Sequence, residues 1–191
     1  MSPVALLGAV YKGCMKAIVI RCTAPGSLPI ATDAYLATEL AVQGIGLLSV
    51  SLFSESDAAR YRHDADFMAQ RILEEIAAAP SDVPVGVLGY ATTAAGAIIA
   101  ASLRPDKISA VVAVNGRTDL AVDELRELRV PTMLLVNDMP VLRVNREALT
   151  FIKSERRIEI VHGNGEEATR AIVDKTVRWF ADKLVHVPEL V

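Results

Sequence analysis

Apolar and polar positions along this chain form short continuous apolar runs that alternate with stretches of helical spacing. A run of β-branched residues such as Ile18-Val19-Ile20 is typical of a strand that is covered on both faces of a sheet. Lys12-Gly13 between two such runs predicts a hairpin turn. The pattern predicts strands over residues 4–11, 16–21, 45–52, 83–89, 108–114, 130–137 and 158–162.

Between these strands the apolar residues recur three and four positions apart, which predicts helices. The longest stretch begins at Ser56 or Asp57 and ends before Pro80, and its apolar stripe is Tyr61, Ala65, Met68, Ile72 and Ile76. The other helices are predicted over residues 29–43, 92–102, 120–128, 141–153 and 166–184. This alternation predicts an α/β fold: one domain over residues 1–191, a three-layer αβα sandwich around a mainly parallel sheet of about six to seven strands.

Composition narrows the function classes. The chain has 191 residues, is 52% hydrophobic and carries a formal net charge of −3, so no basic surface indicates a nucleic acid partner. Its two cysteines, Cys14 and Cys22, do not make a disulfide framework, and no apolar run approaches the ~20 residues of a membrane span. We therefore expect a cytoplasmic protein. No glycine pattern for a nucleotide, and no His or Cys spacing for a metal, is present, so we expect no cofactor.

The segment 85–97, Val-Gly-Val-Leu-Gly-Tyr-Ala-Thr-Thr-Ala-Ala-Gly-Ala, predicts a buried strand, a sharp turn and a helix of small residues. That order is the setting of the nucleophile elbow, G-x-S-x-G. Here Ala91 stands at the nucleophile position and Thr93 replaces the second glycine. Thr93 therefore predicts a relaxed turn, and Thr92 and Thr93 are interpreted as helix N-terminal capping residues.

Three further segments follow the elbow segment along the chain: Leu-Arg-Pro-Asp-Lys-Ile-Ser-Ala-Val-Val at 103–112, Gly-Arg-Thr-Asp-Leu at 116–120 and Val-Pro-Thr-Met-Leu-Leu-Val at 130–136. On these segments the chain resembles the α/β-hydrolase superfamily, in its small dienelactone-hydrolase-like branch. The resemblance runs from about residue 8 to residue 184 and implies that the first strand of the usual fold is missing.

The resemblance also implies where a catalytic triad would stand, and this chain departs from it. The nucleophile position, Ala91, is vacant; Asp138 is a candidate for the acid, or alternatively a cap of the helix near Val141; and Glu166 occupies the position of the usual histidine. Arg21-Cys22 replaces the His-Gly pair of the oxyanion hole, and Cys22 is expected to be a buried structural residue. The expected cleft residues lie at strand ends: Arg21, Cys22, Thr23, Tyr90, Thr92, Arg117 and His162.

Three hypotheses for function remain open. The first is a non-catalytic binding module or subunit with a degenerate triad, which holds a small molecule in the cleft above Ala91 and forms a homodimer. The second is an enzyme of the same fold that acts on a small ester, lactone or other carbonyl substrate by non-serine chemistry. Arg117 would then clamp an anionic group, while Asp138 or Glu166 would transfer a proton. The third is a hydrolase whose nucleophile was mutated at Ala91.

Overall fold

A computed structural model describes residues 15–25, 30–79 and 82–185. Its strands are β1 (Ala17–Thr23), β2 (Ile45–Ser51), β3 (Val85–Tyr90), β4 (Ala110–Val114), β5 (Thr132–Val136) and β6 (Arg156–Ile160). They form one six-stranded sheet in the order β2-β1-β3-β4-β5-β6. All neighbouring strands are parallel. The predicted α/β class and the parallel sheet are therefore confirmed.

Helices connect the strands. They are α1 (Ile30–Val42), α2 (Ala58–Tyr61), α3 (Ala65–Ala77), α4 (Thr92–Leu103), α5 (Val122–Glu127), α6 (Met139–Phe151) and α7 (Gly165–Phe180). Single turns of 3₁₀ helix, Glu55–Asp57 and Thr118–Ala121, precede α2 and α5, and a π turn, Ala181–Val185, extends α7.

Two apolar cores lie on opposite faces of the sheet, which gives the three predicted layers. Alternate residues of β1 divide between them: Ile18 and Ile20 belong to the core that includes residues of α3, α4, α5 and α6, whereas Val19 belongs to the core that includes residues of α1 and α7. The central strands are buried on both faces. Their continuous apolar runs therefore follow from parallel strands with helices on each side.

One predicted helix is divided. The segment that begins near Ser56 is a 3₁₀ turn and the short helix α2, and the chain leaves helical geometry before α3 begins at Ala65. The carboxylate of Asp64 accepts a hydrogen bond from the Phe67 backbone N–H at 2.9 Å, which caps α3. The apolar stripe runs through this break, so spacing alone did not reveal it. The strand predicted over residues 4–11 and its hairpin turn lie outside the described residues.

The topology also places a site. The chain runs from β1 outward to β2 and then returns to β3 on the other side of β1. In open α/β sheets such a reversal leaves a crevice beyond the carboxyl ends of the strands, where ligands bind. Within the described ranges, no helix is long and apolar enough to cross a membrane.

Candidate functional site

A strained turn joins β3 to α4 at the carboxyl edge of the sheet. Ala91 has φ 48° and ψ −116°, a left-handed conformation that L residues rarely adopt. Its N–H donates to the Val114 carbonyl oxygen and its own carbonyl oxygen accepts from the Arg117 N–H, both at 3.0 Å. The methyl group is exposed. The turn therefore has the geometry of a nucleophile elbow with an alanine at its apex.

Two residues beside the apex make this geometry possible. A Cβ on Gly89 would lie 2.5 Å from the Ala94 Cα and 2.6 Å from the Ala94 nitrogen, so only glycine lets α4 approach β3 this closely. The Thr93 hydroxyl is buried; it accepts from the Tyr90 N–H at 2.8 Å and lies 2.9 Å from the Tyr90 carbonyl oxygen. The prediction that Thr93 relaxes the turn is wrong. Ala91 keeps its positive φ, and the Thr93 hydroxyl forms hydrogen bonds with the end of β3.

Thr93 also differs from its predicted role as a cap. Its hydroxyl lies 3.2 Å from the Cys22 carbonyl oxygen, and no side chain makes a capping hydrogen bond at the start of α4. The hydroxyl therefore links the ends of β1 and β3 rather than the first turn of the helix.

A cavity of about 660 Å³ opens above Ala91. Apolar side chains from the β2–α3 segment and from α6 and α7 line two of its sides: Phe53, Ala58, Met68, Val141, Ala168 and Ile172. The polar and charged lining comes from Arg62, Tyr90, Thr92, Thr93, Asn115, Arg117, Asn137, Asp138 and Thr169. Its size suits a small organic molecule.

Asp138 lies at the rim of this cavity, directly after β5 and at the N-terminal end of α6. Its side chain is exposed and makes no capping hydrogen bond, so the alternative interpretation as a helix cap is not seen. Asn115 holds the backbone at this point: its Oδ1 accepts from the N–H groups of Asn137 at 2.9 Å and Asp138 at 3.0 Å. Asn115 itself has φ 47°. Its role was missed, although an asparagine directly after a strand is a typical signal for such a turn.

Two arginines also line the cavity. Arg117 forms a two-pronged ion pair with Asp119, at 2.9 and 2.7 Å, and both side chains are exposed. Arg62, which sequence reasoning missed, is exposed and donates from Nε to the Ala58 carbonyl oxygen at 3.1 Å. A surface arginine in a helical segment carries no sequence signal that it borders a cavity.

The residues of β1 expected in the cleft lie beneath it instead. Arg21 is 2% exposed and pairs with Asp33 at 2.5 Å. Cys22 is fully buried, and burial raises the pKa of its thiol, so it stays protonated. The Thr23 hydroxyl donates to the Val50 carbonyl oxygen at 3.0 Å. These three side chains support the sheet; they are not among the residues that line the cavity.

Tyr90 connects this buried layer to the cavity that it lines. The guanidinium carbon of Arg21 lies over the Tyr90 ring, 5.6 Å from the ring centroid. Burial raises the pKa of the Tyr90 phenol to about 12, against the opposing effect of the Arg21 charge. The phenol is therefore a neutral hydrogen-bonding group at physiological pH.

The last predicted site residues lie outside the cavity. His162 is exposed, and Glu166 is exposed and paired with Arg170 at 2.7 Å. Among the described residues that line the cavity none is a serine, cysteine or histidine. Among all residues that the structure describes, no group of three or more His, Cys, Asp or Glu side chains could hold a metal ion. The cavity thus brings together Tyr90, Ala91, Thr92, Arg117 and Asp138.

Known proteins similar to this chain include hydrolases. A dienelactone hydrolase from Anabaena variabilis superposes with a TM-score of 0.80 and 26% identity, over 91% of this chain and 88% of that one. A monoacylglycerol lipase from Paleococcus ferrophilus superposes with a TM-score of 0.69 at 14% identity, over 86% and 94% of the two chains, which shows the fold alone. No family model matches the chain.

Sequence comparison also finds two Mycobacterium tuberculosis proteins, from strains CDC 1551 / Oshkosh and ATCC 25618 / H37Rv, each named "Putative phosphoribosyl transferase". Each is 30% identical in an alignment of 164 residues that covers 78% of this chain. The chain spans 37% of the length of these relatives.

Proposed function

Since this chain belongs to the α/β-hydrolase superfamily, we propose that it is a non-catalytic member that binds a small molecule in the cavity above Ala91. The observation that carries the proposal is a strained elbow and an open cavity with a methyl group where the attacking atom would stand. A methyl group has no lone pair with which to attack a carbonyl carbon.

The remaining lining side chains do not replace the missing chemistry. A hydroxyl nucleophile needs an adjacent base, and no histidine lines the described cavity. The Thr93 and Thr169 hydroxyls are engaged with backbone groups. Thr92 begins α4, and no histidine among the described lining residues can serve as a base for its hydroxyl. Loss of the nucleophile and of the base together supports a binding role.

What remains in the cavity is suited to recognition. The first N–H groups of α4 have no carbonyl partner within the helix, so they favour an acceptor or an anionic group. Arg62 follows β2 and Asp138 follows β5, so the strand order separates these opposite charges across the cavity. The apolar walls between them would bury the body of a small ligand. We therefore expect a polar compound with an anionic or acceptor group.

The name of the mycobacterial relatives supports no transferase activity here. That name describes proteins of which this chain matches little more than a third. The single-domain organisation, the homodimer and the cytoplasmic location remain predictions.

Hydrolysis of p-nitrophenyl acetate tests the catalytic part. We expect the wild-type chain and Ala91→Ser to show only the background rate, because a new serine hydroxyl still lacks a base. Thr92→Val is the matched control for the lining hydroxyl at the start of α4. Turnover above background that Thr92→Val or Asp138→Asn abolishes would refute the proposal.

Thermal denaturation with a panel of small carboxylates, lactones and esters tests the binding part. A compound bound in the cavity raises the melting temperature, and Arg62→Gln or Asp138→Asn reduces that rise. Arg60→Gln is the matched control, because Arg60 contacts the Tyr61 ring and does not line the cavity. A shift that survives Val141→Trp, which fills the cavity, would place the binding site elsewhere.

A further inference from the structure

The edge strand β6 presents a row of backbone groups away from the sheet. The Thr132 N–H donates to the Glu155 carbonyl oxygen at 2.9 Å, and the Val161 N–H donates to the Val136 carbonyl oxygen at 2.8 Å. Backbone direction alternates along a strand, so the odd-numbered residues of β6 face β5. The N–H and C=O groups of Arg156, Ile158 and Ile160 therefore point outward. Within the described ranges no strand pairs with this edge.

The side chains of β6 are arranged in a self-complementary way. An antiparallel copy centred on Ile158 places Ile158 opposite Ile158 and Arg156 opposite Ile160. Each of these is a pair of outward-facing residues, so both exchange backbone hydrogen bonds. The same register places Arg157 of each copy opposite Glu159 of the other, in the closer pairs that carry no backbone hydrogen bonds.

Neighbouring registers lose this match. Centring the pair on Arg157 sets two guanidinium groups opposite each other, and centring it on Glu159 sets two carboxylates opposite each other. Like charges directly opposite one another destabilise an antiparallel pair. A shift to Arg156 again opposes two arginines. A pair centred on Ile160 places Ile158 and Glu159 opposite residues 162 and 161, which lie beyond the end of β6. Among the registers that keep the pairing within β6, only the one centred on Ile158 satisfies both the backbone direction and the charges.

We propose that two copies of this chain associate through β6, antiparallel about a two-fold axis at Ile158, to form one continuous sheet. The arrangement is isologous, so each contact occurs twice. The charges are already in place: Glu159 is half-buried, 2.6 Å from Lys175 and 3.8 Å from the Arg157 of its own strand. Arg157 is 63% exposed and is available to a second copy. Charged side chains commonly protect an edge strand from pairing, but in the Ile158 register those of Arg157 and Glu159 are complementary.

A charge-swap experiment on the full chain tests the interface. Sedimentation equilibrium at high micromolar concentration is expected to show a dimer for the wild-type chain. Arg157→Glu and Glu159→Arg each weaken self-association by about tenfold or more, because the symmetry doubles each repulsive pair. The two single variants, mixed in equal amounts, form a heterodimer. In that heterodimer the two substituted side chains face each other with opposite charges, and the unchanged Arg157 of one copy faces the unchanged Glu159 of the other. Native mass spectrometry distinguishes the heterodimer from the homodimers.

Two further variants separate the interface from an effect on folding. Ile158→Pro removes an outward N–H that β5 does not use, so the monomer keeps its sheet and the dimer is lost. Arg156→Glu makes the same charge change as Arg157→Glu but faces an isoleucine, and it should associate nearly as the wild type does. A monomeric wild-type chain overturns the proposal. So does a dimer that the single charge variants leave intact, or a mixture that does not form the heterodimer.

Discussion

Replacing Ala91 by glycine should stabilise the protein, although Ala→Gly substitutions usually destabilise. Ala91 has φ 48° and ψ −116°, close to the first central position of a type II′ turn, where glycine is strongly preferred. Holding another residue in such a sparsely populated region costs about 1–3 kcal/mol. The methyl group is exposed to the cavity, so its removal sacrifices little buried apolar surface.

An opposing term sets the expected magnitude. Glycine increases the conformational freedom of the unfolded chain, which costs about 0.4–1 kcal/mol of stability. Subtracting this from the strain that is released leaves a gain of about 1 kcal/mol in the free energy of unfolding. Urea denaturation followed by far-UV circular dichroism and Trp179 fluorescence measures it.

The matched control is Ala34→Gly, at an exposed position inside α1. It lacks backbone strain and should lose about 1 kcal/mol, the usual cost of glycine in a helix. The two substitutions therefore have opposite signs. If Ala91→Gly loses stability as Ala34→Gly does, the elbow is not strained and the proposed geometry of the site is wrong.

The remaining predictions concern the residues around this turn. Thr93→Val keeps the shape but leaves the Tyr90 N–H without its acceptor, so urea denaturation should show a loss of about 1–3 kcal/mol, against little change for Thr92→Val. Gly89→Ala should shift the midpoint of thermal unfolding far more than Gly116→Ala, because a Cβ at Gly89 meets backbone at 2.5 Å whereas one at Gly116 meets only side chains at 3.3 Å and beyond. Burial raises the pKa of Tyr90 from 10.0 to about 12, so the unfolded state loses the phenolic proton first and stability falls as the pH rises through this range; urea titrations should show a smaller fall for Tyr90→Phe.

Much of the fold could be predicted because parallel strands buried on both faces leave a local signal. The run Ile18-Val19-Ile20 has that signal, and it lies in β1 as expected. The local signal for the break before α3 is weaker. Asp64 is a good N-cap residue, but the apolar stripe continues across the break. A cap and a periodic stripe then predict different boundaries, and tertiary contacts decide between them.

The candidate site was less predictable because loop geometry and distant partners decide it. Arg21 was expected in the cleft, yet its side chain is buried and forms an ion pair with Asp33, which lies twelve residues further along the chain on another element. Glu166 stands where the resemblance places a histidine, but its side chain turns to Arg170 on the surface. The i, i+4 spacing of Glu166 and Arg170 on one helix could have indicated their pair, whereas no spacing identifies Asp33 as the partner of Arg21. The interpretation of Asp138 as the residue of the acid position stays a prediction.

The elbow can survive without a nucleophile because backbone groups hold it. Ala91 is fixed by its N–H on the Val114 carbonyl oxygen and by its carbonyl oxygen on the Arg117 N–H, and neither bond involves its side chain. Gly89 and the Thr93 hydroxyl hold α4 close to the end of β3, and their contacts do not involve the Ala91 side chain either. Exchange of the apex side chain therefore leaves the turn, and the cavity above it, unchanged. It follows that elbow geometry identifies the fold, whereas the reacting side chains alone decide whether the site performs chemistry.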